Sequence, residues 1–349
     1  MILMSKRILA AACAAATALA LSACSPSAST GGKTSKDGTL TVMASFYPLK
    51  YLAEKVGGEH VIVTSLTPDG AEPHDLELSP KMVDSLASAD AVVYLAGFQG
   101  AVDEAVEQHA PKTVIDVSPA AQLVAIDSTS NHPGEDEGTD EAQSGEAQSG
   151  EAADHDHEGH EHEGHDHEHA DHDHHHDMSM DPHFWLDPAR MANAATLVGD
   201  KLAEADPTNA ETYKANAQAL NEELTSLGDN LVAKTSTCQI KTFVTAHTAF
   251  GYLADRTGLT QVGISGLNPE SSPSPARLAE IGKIVKDQGV TTIFTEALID
   301  PKVEQTLADD LGISTAVLDP IESQTDSSKD YAAVMNDNID ALTKANNCQ

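Results

Sequence analysis

Short apolar runs alternate with helical patterns through the first part of the sequence. Residues 49–56 and 79–89 have helical periodicity, and Ser79-Pro80 marks the start of the second helix because Pro is favoured in a first helical turn. The strand-like runs span residues 39–45, 61–66, 91–95 and 113–117. Strands that alternate with helices predict a parallel sheet covered on both faces.

The second half of the chain repeats this alternation. Its predicted strands span residues 241–246, 261–264, 291–295 and 314–318. Its predicted helices span residues 247–257, 275–287, 301–311 and 331–345. Between the halves, one helix covers residues 187–205 and a second starts at Pro207. The pattern therefore predicts an α/β protein of two similar lobes, joined by a linking helix, with a ligand cleft between them.

A segment of different composition interrupts the first half. Residues 135–177 contain 17 acidic side chains, 11 histidines and no Lys or Arg. Such a segment cannot bury enough apolar surface to fold, so a disordered loop is predicted over residues 129–180. We interpret the loop as an auxiliary device that captures metal; the alternative is a passive acidic spacer. Its histidines are His155, His157, His160, His162, His165, His167, His169, His172, His174, His175 and His176.

These patterns divide the chain into seven parts. They are a lipoprotein signal peptide (1–23), a flexible tether (24–38), an N-terminal lobe (39–128), the acidic His-rich loop (129–180), the end of the N-terminal lobe (181–206), a linking helix (207–236) and a C-terminal lobe (237–349).

The net charge of the chain restricts its partners. There are 55 acidic and 20 basic side chains, which give a formal charge of −35. Nucleic acid and the anionic face of a membrane are excluded as partners, because both would be repelled over most of the surface. An apolar fraction of 40% is still sufficient for buried cores.

The N-terminus and the cysteines indicate an extracytoplasmic location. Lys6 and Arg7 precede a short apolar run that ends in Leu21-Ser-Ala-Cys24, which resembles a bacterial lipobox with Cys24 as the lipidated residue. The alternative is an ordinary signal peptide with an incidental cysteine. In an oxidising compartment the two remaining cysteines of the mature chain, Cys238 and Cys348, are expected to form a disulfide bond.

Three histidines outside the loop share a common context. His60 and His109 lie beside acidic or small residues and are interpreted as solvated side chains. His74, His183 and His247 instead lie where a strand or turn leads into a helix. Such junctions converge on the predicted cleft, so these three side chains are candidate metal ligands.

The motifs around these histidines carry a resemblance. Glu72-Pro-His-Asp-Leu-Glu77, Asp181-Pro-His-Phe-Trp-Leu-Asp187 and Thr245-Ala-His-Thr-Ala-Phe-Gly-Tyr252, with a His-rich loop between the first two, resemble the zinc-binding lipoproteins of ABC importers. The resemblance covers about residues 39–345 and implies that His74, His183 and His247 are the imidazole ligands. It further implies a fourth ligand, either water or a carboxylate of the second lobe.

Three acidic residues are candidates for contact with the metal. Asp319 is favoured as the fourth ligand because the carboxylate of related proteins lies at the end of that later strand. Glu296 is the alternative ligand, or an acceptor that orients an imidazole N–H. Glu72 is a further possible contact, although it also fits the role of ending a loop before Pro73.

Three imidazoles and one oxygen ligand favour Zn²⁺. They suit a tetrahedral site, whereas Ca²⁺ and Mg²⁺ prefer oxygen ligands. Manganese-binding relatives tend to carry a carboxylate in place of the third imidazole, and this chain has His247 there. Cu²⁺ and Ni²⁺ stay open as competitors, since they bind such sites at least as strongly.

The resemblance implies a monomeric, lipid-anchored Zn²⁺-binding protein that delivers zinc to an ABC transporter permease and catalyses no reaction. One alternative is a protein of the same family that binds manganese or another divalent metal. A second is a zinc-dependent hydrolase. The absence of a His-Glu-x-x-His motif from the sequence argues against it. A third is an adhesin or a metal buffer with the same site.

Overall fold

The computed structural model describes residues 38–109, 111–126 and 180–349. The predicted leader, the lipidation site Cys24 and the eleven loop histidines lie outside these ranges, as does most of the predicted tether. No helix within the described ranges is both long and apolar enough to cross a membrane.

The first lobe is built on a parallel four-stranded sheet. Its strands are β1 (Leu40–Ala44), β2 (Val61–Ser65), β3 (Ala91–Tyr94) and β4 (Thr113–Asp116), in the order β2-β1-β3-β4. Its helices are α1 (Tyr47–Gly57), α2 (Pro80–Ser88), α3 (Gly100–His109) and the short α4 (Ser118–Ala121). Neither α3 nor α4 was predicted from the sequence.

The second lobe has the same strand order. Its strands are β5 (Thr242–Thr245), β6 (Thr260–Gly263), β7 (Thr292–Thr295) and β8 (Ser314–Val317), arranged β6-β5-β7-β8 and all parallel. Its helices are α7 (Gly251–Thr257), α8 (Pro275–Gln288), α9 (Lys302–Leu311) and α10 (Tyr331–Ala345). The prediction of two α/β lobes with parallel sheets is confirmed.

Two long helices, α5 (Pro188–Ala205) and α6 (Ala210–Thr235), lie between the sheets in sequence. The 26 residues of α6 give a helix of about 39 Å. This helix begins three residues later than predicted, because Asp206 accepts hydrogen bonds from the Thr208 N–H and the Asn209 side chain and so holds a turn there.

A shared hydrophobic core joins the lobes. Its buried residues come from β1 and α1 of the first lobe, from α5 and α6, and from β5 and α10 of the second lobe. Two smaller clusters lie against the other faces of the two sheets. Because the large core is common to both lobes, the ends of the strands are held in fixed relation to one another.

The start of α7 differs from its prediction. Residues 247–250 do not form helix: the His247 carbonyl, which a helix from that residue would pair with the Gly251 N–H, accepts from the Thr245 hydroxyl at 2.7 Å and from the Gln261 amide at 3.0 Å. The N–H groups of His247 and Thr248 donate to the Glu296 carboxylate at 3.2 Å and to Gly266 O at 2.9 Å, and α7 begins at Gly251.

Candidate metal centre

Three histidines and one glutamate meet where the two lobes face each other. His74 lies in the loop after β2, His183 in the turn before α5 and His247 directly after β5. Glu322 follows β8, and one ligand atom from each of the four residues lies within 4.8 Å of all the others. The three predicted histidines are therefore brought together, and Glu322 joins them.

The spacing of these atoms matches a small tetrahedral site. Glu322 Oε1 lies 3.3 Å from the Nε2 atom of each of His74, His183 and His247. His74 Nε2 and His183 Nε2 are also 3.3 Å apart. A tetrahedron with metal–ligand bonds of about 2.0–2.1 Å has edges of about 3.3–3.4 Å, so these four distances fit the edges of a Zn²⁺ site.

His183 is fixed by Asp181. Asp181 Oδ1 accepts from the His183 backbone N–H at 3.0 Å and from Nδ1 at 2.8 Å. Both side chains are fully buried, and the carbonyl of Asp181 accepts a hydrogen bond from the Tyr252 hydroxyl of the second lobe. Since a carboxylate only accepts, the Nδ1 atom carries hydrogen and Nε2 faces the other ligands.

His247 is fixed by Glu296 in the same way. Glu296 Oε1 lies 2.7 Å from His247 Nδ1 and accepts from the His247 backbone N–H at 3.2 Å. The carbonyl of His247 accepts from the Thr245 hydroxyl and the Gln261 amide. His247 Nε2 is buried and lies 3.3 Å from Glu322 Oε1, on the side of the ring that faces the other ligands.

His74 is held through its backbone and its ring. Its N–H donates to the Glu72 carboxylate at 3.1 Å, and its ring packs edge-on against Phe98 with centroids 4.9 Å apart. Its Nδ1 atom is buried without a hydrogen-bond partner among the described residues. Glu72 therefore supports the backbone of the His74 loop in this structure.

The buried groups of the centre shift one another's pKa values. Burial opposes protonation of His183 and His247, but hydrogen bonds and charge from Asp181, Glu296 and Glu322 outweigh it. The pKa of His183 is raised, and that of His247 is raised to about 10. Burial lowers the pKa of His74. Burial would raise the pKa of Glu322, but hydrogen bonds from the three imidazoles hold it well below its ordinary value.

Asp319, the expected fourth ligand, lies outside this group. Its Oδ1 atom accepts the backbone N–H of Ile321 at 2.7 Å, so the side chain folds back onto its own turn. Ile321 then adopts a left-handed conformation with φ of 57°, and this reversal brings Glu322 to the imidazoles. The structure therefore places Glu322 where the sequence analysis expected Asp319.

Two acidic residues of the centre were not assigned a role from the sequence. Glu322 lies three positions after Asp319 in Leu318-Asp-Pro-Ile-Glu-Ser323, within the same turn after β8. Asp181 lies two positions before His183, a spacing at which a carboxylate can reach both the N–H and the ring of the same histidine. In both cases the signal was an acid within three residues of an identified candidate.

Comparison with known proteins identifies the family. The sequence model of the family described as zinc-uptake complex component A, periplasmic, matches residues 42–345. The high-affinity zinc uptake system protein ZnuA of Bacillus subtilis is 31% identical over 337 residues, which cover 94% of each chain. The zinc-binding lipoprotein AdcA of Streptococcus pneumoniae strain R6 is 33% identical over 313 residues, covering 88% of this chain and 56% of that protein.

A solved structure agrees with these matches. The Zn(II)-bound ZnuA-like domain of Streptococcus pneumoniae AdcA superimposes with a TM-score of 0.66 and 29% identity, covering 88% of this chain and 99% of that domain. The chain thus spans about half the length of AdcA but nearly all of the Bacillus protein. It belongs to the zinc-uptake complex component A family, whose members are solute-binding proteins of zinc uptake and not enzymes.

Proposed function

We propose that this chain is an extracytoplasmic zinc-binding protein that holds one Zn²⁺ with His74, His183, His247 and Glu322. The observation that carries the proposal is the 3.3 Å spacing between Glu322 Oε1 and the three Nε2 atoms. This spacing fits the edges of a tetrahedral zinc site and the preferred mixture of nitrogen and oxygen ligands.

The surrounding hydrogen bonds favour zinc over harder cations. Asp181 and Glu296 fix two imidazoles with Nδ1 protonated, which leaves the Nε2 lone pairs for a metal. Ca²⁺ and Mg²⁺ would gain a single oxygen ligand here. Cu²⁺ and Ni²⁺ accept imidazoles as well, so discrimination against them rests on the tetrahedral geometry and on their supply.

We further propose that the chain delivers its zinc to an ABC permease while anchored to the membrane through Cys24. Membership of a zinc-uptake complex family and the lipoprotein AdcA among its relatives support this role. The His-rich segment would concentrate Zn²⁺ near the cleft through many weak sites. Replacing Cys24 with Ala should then move the protein from the membrane fraction to the soluble fraction.

The direct test is a zinc titration of a variant without the His-rich segment. Ala125 and Met180 pair as an antiparallel bridge, so residues 127–179 can be replaced by a short turn with little disturbance of their flanks. We expect about one tightly bound Zn²⁺, identified by anomalous scattering at the zinc edge. His183→Ala should weaken binding strongly, whereas the matched change His109→Ala, on an exposed helix end, should not.

A trimmed protein that takes up no stoichiometric zinc would overturn the proposal. So would density that places the metal away from the three imidazoles. A tight site that prefers Mn²⁺ to Zn²⁺ would retain the binding function and change its cargo.

A further inference from the structure

The turn that carries Glu322 is hydrogen-bonded along its whole length. We define the Glu322 turn as residues 319–323. The backbone N–H and C=O of Asp319 bond to the Asn338 side chain of α10 at 2.8 and 2.7 Å. The Pro320 carbonyl accepts from Trp185 Nε1 at 2.7 Å, and Ser323 Oγ accepts from the Gly70 N–H at 2.7 Å.

Two of these bonds connect the turn to the segments that carry the first-lobe ligands. Trp185 lies two residues after His183, and Gly70 lies four residues before His74. The Glu322 turn belongs to the second lobe, so its hydrogen bonds hold three of the four ligand segments together. A shift of this turn would therefore alter the position of Glu322 and its contacts with the first lobe at the same time.

The turn has one unfavourable residue at its centre. Ile321 is 1% exposed and has a φ of 57°, a left-handed conformation that β-branched residues rarely adopt. The hydrogen bond from the Ile321 N–H to Asp319 Oδ1, at 2.7 Å, opposes relaxation of this conformation. Residue 322 follows directly, so the direction of its side chain depends on that strained backbone.

We propose that Asp319 is a positioning residue for the metal centre: by accepting the Ile321 N–H it holds the Glu322 turn in the conformation that points Glu322 at the three imidazoles. This inference rests on the proposed zinc site. Asp319 acts through hydrogen-bond acceptance and touches no metal. Its side chain also interacts with Thr325, which lies within the same loop.

The test compares two substitutions of Asp319 in the full-length chain. Asp319→Asn keeps an oxygen acceptor for the Ile321 N–H and removes the negative charge. Asp319→Ala removes both. We expect zinc affinity, measured by competition with a chromophoric chelator, to stay close to wild type in Asp319→Asn and to fall by about 10–100-fold in Asp319→Ala.

The visible spectrum of the Co²⁺-loaded protein provides a readout that a general loss of stability would not move. The intensity of its bands reports the coordination geometry. The spectrum of Asp319→Asn should resemble that of the wild type, whereas the spectrum of Asp319→Ala should shift toward that of a reference variant, Glu322→Gln, which lacks the carboxylate ligand. If Asp319→Asn is as impaired as Asp319→Ala, the charge is what matters and the proposal is wrong. It is also wrong if neither variant changes affinity.

A second variant covers the case in which Asp319→Ala does not fold. Ser323→Ala leaves Asp319 intact and removes only the acceptor of the Gly70 N–H. We expect it to release zinc to excess chelator several-fold faster than wild type, with little change in melting temperature. Release at the wild-type rate would count against the turn as a positioning element. Failure of the wild-type protein to bind zinc would instead contradict the proposed function itself.

Discussion

The three imidazoles of the metal centre differ in what they meet at Nδ1. A carboxylate lies 2.8 Å from this atom in His183 and 2.7 Å from it in His247. The Nδ1 atom of His74 has no partner within the described part of the chain. Carboxylate acceptors raise the basicity of a ligand and fix its ring, so His183 and His247 are expected to hold the metal more firmly than His74.

The role of Glu296 leads to a prediction about affinity. Glu296→Gln removes the negative charge beside His247 Nδ1, and zinc affinity should fall by about 10–100-fold, as measured by chelator competition. Glu107→Gln makes the same charge change at an exposed position of α3 and should leave affinity unchanged. Equal affinities for the two variants would show that the carboxylate beside His247 is unimportant for binding.

Proton release gives a second prediction at this scale. The pKa of His247 is raised to about 10, compared with about 6.5 in an unfolded chain. The metal-free protein should therefore carry an extra proton on His247 at neutral pH. Zinc must displace it. Calorimetric titrations in buffers of different ionisation enthalpy should show release of at least one proton, and affinity should increase with pH. Identical binding enthalpies in all buffers would contradict this expectation.

The sign of the corresponding stability effect follows from the same shift. The pKa of His247 is higher in the folded chain than in the unfolded chain, so its protonation stabilises the metal-free protein. This contribution is at its full value below about pH 6.5. This contribution is lost as the pH rises toward about 10. Bound zinc takes the place of that proton, so the zinc-loaded protein should not show this loss.

The histidines could be predicted from the sequence more readily than the carboxylate could. His183 lies in a local motif just before a helix, His247 lies in one at the end of a strand, and His74 lies in a Glu-Pro-His motif in the loop after β2. Asp319 and Glu322 lie in one short turn, and the choice between them depends on the left-handed conformation of Ile321. The turn that contains Ile321 is also bonded to Asn338 and Trp185, which are distant in sequence, and local patterns do not report such contacts.

At the scale of elements, periodicity located all eight strands of the described ranges to within about two residues. The apolar runs were short, which favours strands over helices. Helix α3 was missed because it has only three buried residues, Val102, Ala105 and Val106, and they form a weak apolar stripe. The predicted start of α7 was wrong because the His247 carbonyl bonds to Gln261, a contact that local patterns do not report.

The packing of α5 on α6 leads to a prediction about two mid-helix glycines. A Cβ at Gly199 of α5 would lie 2.4 Å from Ala217 Cβ of α6, whereas one at Gly282 of α8 would lie 3.6 Å from its nearest neighbour, in Leu311. Gly199→Ala should destabilise the protein by about 1–3 kcal/mol through overpacking. Gly282→Ala should stabilise it by about 0.4–1 kcal/mol, because alanine favours helix.

Denaturant unfolding of the two variants provides the measurement. Both substitutions gain the same intrinsic helix propensity, so a difference in sign between them isolates the close approach of α5 and α6. If Gly199→Ala and Gly282→Ala both stabilise the protein, then α5 and α6 can move apart without a loss of stability.

At the scale of the whole molecule, the two halves repeat one strand order and still share a core. The repetition could be predicted from the alternation of strands and helices. The shared core could not, because the apolar stripe of α6 does not reveal its partners. Among them is α1, which lies near the start of the described residues, more than 150 positions before α6.

The chain end provides the last prediction. In the structure the Sγ atoms of Cys238 and Cys348 are bonded, which links positions 110 residues apart and ties the end of the chain to the start of the second lobe. If the mature protein carries this bond, changing both cysteines to Ser should cost about 2–5 kcal/mol. Thermal unfolding with and without reductant measures this cost, since reductant should affect only the wild type. Two free thiols in the non-reduced wild-type protein would contradict the pairing.

The position of Trp185 has a practical consequence. It is the only tryptophan of the chain, and its side chain is fully buried. The centroid of its ring lies 5.2 Å from that of the His183 ring. Its indole N–H also bonds to the turn that presents Glu322. The emission of a single indole in this place should respond to cargo arriving or leaving, so uptake and discharge can be followed in real time with no attached dye.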